Sequence, residues 1–409
     1  MILNITREDI TSDLINEFIA KDKFSDIKKD MEVAYNYSIG KNEAIMARRK
    51  VMFTEDAQGN RSIVDDLTKA NYKAPHTYLS ELISQCTNYL VGKPLKVDFK
   101  NAFDEEAEND IDYDPTKEGV QTKVDVDKET LDNVLNRGND FSKFLQTNVS
   151  NLQLYGTTYF RVVLVEGVIK FVTYDPREII MFKNDFNENH LCLRYYDKQE
   201  MVTDNKGKKS IETVKYVEVF DHTHKDVYKQ VKGKWDKVES DVLLYKEVIS
   251  YGEGDVKTVE EQGLEVHVFP VIEWQFNDAT RGTLSDIKPF IDFQDINLGD
   301  LANNVEDIQE AIWVLENYNG QGLEEFMEDL KYRKSVKVGS GGSARPETID
   351  IPIEARRELY EMCERNIYKF GFGINFSDRD SLGNVTGVAL KWSYRSEERR
   401  VGKECRSRW

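Results

Sequence analysis

The stretch Leu284-Ser-Asp-Ile-Lys-Pro-Phe-Ile-Asp-Phe-Gln-Asp-Ile-Asn-Leu-Gly-Asp-Leu-Ala-Asn-Asn-Val-Glu-Asp-Ile308 carries the clearest periodicity in the chain, and its pattern continues through Ile312 and Leu315. Leu284, Ile287, Ile291, Gln294, Leu298, Leu301, Val305, Ile308, Ile312 and Leu315 are separated by three and four residues in alternation, with Gln294 the one polar member. That spacing gathers side chains on one face of an α-helix and predicts an amphipathic helix of up to about eight turns, each ~5.4 Å long. The opposite face takes Asp292, Asp295, Asp300, Glu306, Asp307 and Glu310. Pro289 and Gly299 interrupt good helix formers, so a bend or a later start near Pro289 is expected. A stripe this long must pack on something, either the chain's own core or another subunit.

Downstream lies a small insertion between Gly320 and Pro352. It holds an amphipathic segment (Leu323 to Leu330), a basic strand Lys331-Tyr-Arg-Lys-Ser-Val-Lys-Val338 and a flexible Gly339-Ser-Gly-Gly-Ser343. A helix follows from Ile353 to Phe370 and stops at Gly371 to Gly373. Upstream, Thr6 to Lys50 has helical spacing, and His76 to Val91 forms a second helix that Gly92-Lys-Pro94 terminates. Asp98 to Lys128 is acidic and poor in apolar residues, which marks a solvated loop. Another helix spans Asp140 to Leu154.

Beyond Gly156 the period changes to two or to unbroken apolar runs. Thr158 to Val165 and Val168 to Tyr174 form a hairpin around Glu166-Gly167, and further strands are expected at Leu191 to Tyr196, Lys215 to Phe220, Asp226 to Val231 and Leu243 to Ile249. Asp204 to Gly207 and Lys232 to Lys234 supply turns, and Val268 to Trp274 makes one last buried strand. The fold class is α+β: a helical N-terminal part, a β-rich layer, then long helices flanking a small module.

The 409 residues, 40% hydrophobic, suffice for two or three packed domains. Net charge is -18, which argues against gripping nucleic acid by counterion release, a mode that needs clustered Lys and Arg. It does not oppose a wall past which DNA slides. Cys86, Cys192 and Cys363 are too scattered for a disulfide framework or a zinc site. The N-terminus lacks signal-peptide order and no apolar run reaches membrane-spanning length, so a reducing cytosol is the expected compartment.

The motifs with possible chemistry fail in detail. Asp110-Ile-Asp-Tyr-Asp114 resembles a calcium loop, but Pro115 stands at the sixth position and Gln121 at the twelfth, where Gly and Glu are needed. His222-Thr-His224 has no third ligand at suitable spacing and fits a strand-end turn. Gly40-Lys41 and Gly92-Lys93 lack the earlier Gly of a phosphate loop, and Asn42 and Pro94 replace its Ser or Thr. No catalytic triad, dyad or paired carboxylate stands out. The expectation is a non-enzymatic protein without cofactor or metal.

Five stretches, in this order, carry a resemblance: Tyr37-Ser-Ile-Gly-Lys-Asn-Glu-Ala-Ile45; Tyr89-Leu-Val-Gly-Lys-Pro94; Leu154-Tyr-Gly-Thr-Thr-Tyr-Phe160 with Tyr174-Asp-Pro-Arg-Glu-Ile-Ile180; Phe269-Pro-Val-Ile-Glu-Trp274 with Ile291-Asp-Phe293 and Leu301-Ala-Asn-Asn304; and Thr386-Gly-Val-Ala-Leu-Lys391. Over residues 1 to 394 the chain resembles the siphovirus-type portal proteins of tailed bacteriophages. The resemblance implies a ring of subunits, typically a dodecamer, at one capsid vertex of the virion, assembled in the host cytoplasm. Viral double-stranded DNA would be packaged and ejected through it. Terminase large subunit, a tail or neck adaptor, and capsid and scaffold proteins would be its partners.

By the same resemblance residues 1–282 form a wing, 283–309 a stem helix, 310–352 a clip and 353–373 a returning stem helix. Residues 374–386 would be the tunnel loop and 387–394 the start of a helix leading to a crown that is missing. Ser377, Asp378, Arg379, Asp380, Ser381 and Asn384 would face the DNA channel, and Lys331, Arg333, Lys334 and Lys337 of the clip would touch DNA or a partner. Leu298, Leu301, Val305 and Ile308 would pack stem against stem. The competing readings are a packaging ATPase or nuclease, and another capsid or neck protein.

Arg395 to Trp409 breaks with what precedes it. The common sequencing-adapter prefix agatcggaagagc, translated in frame, gives the Arg-Ser-Glu-Glu found at Arg395 to Glu398. The expectation is a truncated chain with a foreign tail. That tail holds six basic and three acidic residues, so without it the charge falls to -21.

Overall fold

The computed structural model describes residues 5–55, 61–66, 69–93, 129–165, 168–203, 209–243, 245–251, 258–264, 269–307, 312–316, 322, 342–347 and 353–375. In chain order the helices and strands are α1 (Ser12–Lys23), α2 (Asp26–Ser38), α3 (Glu43–Met46), β1 (Val51–Glu55), β2 (Arg61–Asp65), α4 (Tyr78–Val91), α5 (Phe141–Tyr155), β3 (Thr157–Val165), β4 (Val168–Tyr174), β5 (Ile179–Lys183), β6 (Asn189–Thr203), β7 (Lys209–Phe220), β8 (His224–Val231), β9 (Lys234–Val242), β10 (Tyr245–Tyr251), β11 (Thr258–Leu264), β12 (Ile272–Gln275), α6 (Leu284–Asp307), β13 (Ile312–Glu316), β14 (Ser343–Glu347) and α7 (Ile353–Phe370). The class is α+β, and the chain divides into two compact units.

The first unit comprises residues 1–38, 79–285 and 372–409. Its centre is a five-stranded antiparallel meander, β5-β6-β7-β8-β9. One face of the meander buries Phe182, Leu191, Leu193, Val217, Val219 and Trp235 beneath Ile15 and Phe18 of α1. On the other face Met181, Cys192 and Phe220 meet Tyr159 and Tyr174 from the β12-β3-β4 sheet, together with Phe269 and Val271. α5 begins at its N-cap Asp140 and ends at Gly156, whose φ of 80° lies in the left-handed region. A Cβ at Gly156 would collide with the Thr280 carbonyl, so glycine is required twice over.

Ion pairing ties the N-terminus to this sheet. Arg7 bonds Asp221 at 2.9 Å and both oxygens of Asp226 at 3.0 and 2.9 Å. Burial by itself would raise the Asp226 pKa, but hydrogen bonds from Lys237, Ser240 and Arg7 outweigh it and hold the carboxyl below its usual value. Asp221 is lowered in the same way, with the Thr223 and His224 amides overcoming burial. The expected turn at His222-Thr-His224 is present: Asp221 caps it, His224 opens β8, and His222 packs edge-on against Phe269.

The second unit comprises residues 39–78 and 286–371. It contains α3, the β1-β2 hairpin, all but the first two residues of α6, the β13-β14 pair and α7.

Several expectations need correcting. The periodic helix does not reach Leu315: α6 ends at Asp307, and Ile312 to Glu316 is a strand paired antiparallel with Ser343 to Glu347. Ile312-Trp-Val-Leu315 is β-branched and aromatic, and pairing with β14 gives those residues a better use than a further helical turn. Ser343 accordingly belongs to a strand, not to a flexible linker. The helical pattern from Thr6 to Lys50 is broken. Thr6 and Asp9 close a capping box around a single 3-10 turn, and Gly40 takes a positive φ before α3. Strands β1 and β2 escape the period test because they are too short. The last strand of the β layer starts at Ile272, after Pro270, which has no amide hydrogen to give a ladder. The acidic stretch Asp98 to Lys128, with the calcium-like motif, lies outside the described residues.

Candidate assembly interface on the long helices

Along α6 the buried positions are Leu284, Ile287, Ile291, Gln294, Asp295, Gly299 and Asn303. After Ile291 they advance by four (295, 299, 303) instead of alternating three and four. Steps of four rotate away from the apolar stripe by ~40° each, so Leu298 and Leu301 fall on its shoulder and are half-buried. The reason is what packs there. Residues 42–48 and 72–78 lie against this part of α6 through polar contacts at successive turns.

Asp295, assigned by its spacing to the exposed acidic face, is 0% exposed. Its carboxylate accepts from the Asn42 amide at 2.6 Å and from the His76 backbone N–H at 3.2 Å, and the His76 ring Nδ1 stands 2.5 Å away. Asn42 uses its other amide atom to cap α3, accepting from the Ala44 N–H at 2.9 Å. One turn on, Gly299 lets the Tyr72 backbone and the Ile45 side chain approach closely, and Arg48 pairs with Asp300 at 3.0 Å. A turn further, the Tyr72 N–H donates to Asn303 Oδ1 at 2.6 Å. A buried charge flanked by fixed donors tolerates no slip, so this ladder sets the register of the 42–78 segment on α6.

Aromatic side chains join α7 to the same ladder. Gln294 donates to the Tyr78 hydroxyl at 2.9 Å, Tyr78 stacks on His76 with centroids 5.2 Å apart, and Tyr368 meets Tyr78 edge-on at 6.0 Å. The Tyr78 and Tyr360 hydroxyls are 3.3 Å apart. Burial first, then Tyr360, pushes the Tyr78 phenol far up, so it stays neutral. His76 touches a carboxylate and two tyrosine rings, an arrangement that orients and packs but contains no nucleophile. Among the described residues no group of three or more His, Cys, Asp or Glu could hold a metal ion, and no described helix is long and apolar enough to cross a membrane.

α7 carries two apolar stripes, and among the described residues only one of them is buried. Cys363, Ile367 and Tyr368 are buried. Beside them Ala355, Leu359, Met362 and Phe370 follow helical spacing, yet all are exposed, Met362 at 46% and Phe370 at 42%. Phe293 of α6 is also exposed, and Phe290 is stacked flat on Phe370 with centroids 5.5 Å apart. Apolar positions at helical spacing that face solvent are the signature of a surface completed by another chain.

Of the residues singled out for the stem, Leu298 and Leu301 are half-buried, Val305 lies in α6, and Ile308 is outside the described residues. Ser377, Asp378, Arg379, Asp380, Ser381 and Asn384 are outside them too, as are Lys331, Arg333, Lys334 and Lys337. The segment entering the first group is described through Asn375. There the Gln85 side chain clamps Ile374, accepting from its N–H at 2.8 Å and donating to its carbonyl at 3.0 Å. The Asn42–His76–Asp295 cluster carried no sequence signal: its members are 34 and 219 positions apart, and although Asn42 falls in one of the five stretches, nothing there links it to the other two.

Comparison with known proteins extends this picture. A chain in the neck of a native GTA particle, computed with C12 symmetry, shares 11% identity at a TM-score of 0.32 over 62% of this chain and 61% of its own, too low to speak for the fold. The sequence relatives are firmer. The portal protein of Bacillus phage SPP1 is 26% identical over 345 residues, 83% of this chain and 60% of that protein. The portal protein of Clostridium phage phiCD119 is 36% identical over 138 residues, 32% of this chain and 30% of that protein. The chain thus spans about three fifths of the first relative and less of the second. The family model for phage portal proteins of the SPP1 Gp6-like type matches residues 18–407, and so takes in most of the segment after Tyr394. With nearly its whole length matched, the chain belongs to the SPP1 Gp6-like family of phage portal proteins.

Proposed function

We propose that this chain is a structural subunit of a portal ring, through which viral double-stranded DNA enters and leaves the capsid. Membership in the portal family carries the reading. The uncovered apolar stripe of α7 supports it, because a ring gives each copy the neighbour that this stripe lacks. In this assignment residues 1–282 are wing and α6 is the stem helix. Residues 310–352 are the clip, and α7 is the returning stem helix. The loop from Ile374 borders the channel, rooted by Gln85, and the basic strand from Lys331 meets DNA, terminase or a tail adaptor. An acidic wall repels phosphates and keeps DNA from adhering while a separate motor drives it.

Negative-stain electron microscopy of the purified chain tests the assignment. Rings with a central hole about as wide as a DNA duplex are expected; shells, filaments or monomers at all concentrations overturn it. An ATP hydrolysis assay with DNA tests the enzymatic rival, for which robust turnover would be required.

A further inference from the structure

Among the described residues, nothing buries either face of the β1-β2 hairpin of the second unit. All five residues of β2 are exposed, and in β1 Phe53 is exposed at 74%. Val51, Phe53 and Ile63 share one face, since Val51 pairs with Asp65 and Phe53 with Ile63; Met52 and Val64 share the other. A two-stranded ribbon alone in water is marginal at best, so a ribbon with this much exposed apolar surface needs a partner. The ends of the Phe53–Ile63 face are charged, with Asp65 paired to Arg49 at 2.7 Å at one end and Glu55 opposite Arg61 at the other, and Phe53 and Ile63 form the exposed apolar centre between them. The same unit carries the uncovered stripe of α7, where Arg357 is paired with Glu361 at 3.1 Å beside Leu359 and Met362.

Two different apolar surfaces on one chain, each largely exposed among the described residues, are satisfied together by a head-to-tail contact between copies. Contacts of that kind generate a ring where the rotation between copies closes, as the ring reading requires, and a filament where it does not. We propose that the β1-β2 hairpin is an arm whose Phe53–Ile63 face lies on the Leu359–Met362–Phe370 stripe of a neighbouring copy. The proposal rests on the ring reading and specifies one contact within it.

The test places a benzophenone amino acid at Phe53 in the otherwise unchanged chain, followed by irradiation and peptide mass spectrometry. A parallel variant, Phe53→Ser with Ile63→Ser, is examined by circular dichroism and native mass spectrometry. Expected are intermolecular cross-links into residues 355–370, and a folded double variant whose assembly midpoint rises by about tenfold or more. Rings that form normally in the double variant, or cross-links confined to one chain or to another surface, overturn the arm and leave the ring reading standing. Cross-linked dimers at α7 without rings support the arm and overturn the ring. Neither rings nor cross-links overturns both.

Discussion

Asp295 shows how much one side chain's surroundings decide. It shares α6 with Asp292, whose partner is Lys288 one turn away, yet Asp295 is sealed beneath Asn42 and His76. Removing a buried carboxylate strands its donors, so Asp295→Ala should cost about 2–4 kcal/mol in urea unfolding, against less than about 1 kcal/mol for Asp292→Ala. Equal losses would mean that the cluster does not hold the unit together. Arg7 makes a second residue-scale case. Asp221 and Asp226 have folded pKa values below the unfolded ones, so their contribution is complete above about pH 4 and is lost as pH falls through the folded values. Urea melts at pH 7 and pH 3.5 should therefore show Arg7→Met destabilised at neutral pH, with a shallower acid loss than the parent chain. A parallel drop at both pH values would exclude this linkage.

At the scale of elements, what counts is where an element stops and what it leaves uncovered. α5 can turn into β3 only through the left-handed Gly156, under the Thr280 carbonyl. Gly156→Ala should cost more than about 2 kcal/mol in thermal or urea unfolding, well beyond the ordinary gain of glycine replacement, and a neutral result would contradict the geometry. Helix α7 was fully legible as Ile353 to Phe370, since strong helix formers run up to a glycine stop. α6 was legible as a helix throughout, but its buried face only in the first two turns. There the buried partners are apolar and keep the three-four rhythm; beyond Ile291 they are polar and follow another chain segment. Strands β5 and β9 were missed for opposite reasons, β5 being buried on both faces and β9 carrying five charged residues of nine with Trp235 its one buried side chain among those described. Neither displays the half-buried alternation by which strands are recognised.

For the whole molecule, the question is what completes the surfaces that one copy leaves open. Leu359→Asp with Met362→Asp should shift the unfolding free energy of the monomer by no more than about 1 kcal/mol, because both side chains already face water, while abolishing higher assemblies in native mass spectrometry. Assemblies that persist in this variant would remove α7 from the interface. Nucleotide reads across codons 390 to 409 address the tail. If the tail is foreign, independent reads diverge from this sequence after Tyr394; an intact frame through Trp409 in those reads would make the tail native.

From sequence alone come the α+β class, the β-rich middle, the boundaries of α7 and, through five short stretches in order, the resemblance to portal proteins. These follow from local chemistry: periodicity, caps, glycine stops and short motifs are properties of neighbouring residues. Tertiary structure alone decided that α6 ends at Asp307, that Asp295 is buried, and that the β1-β2 hairpin and one stripe of α7 stand uncovered. Those outcomes depend on which distant segment packs where, and a carboxylate's spacing along a helix carries no record of a histidine more than two hundred residues away.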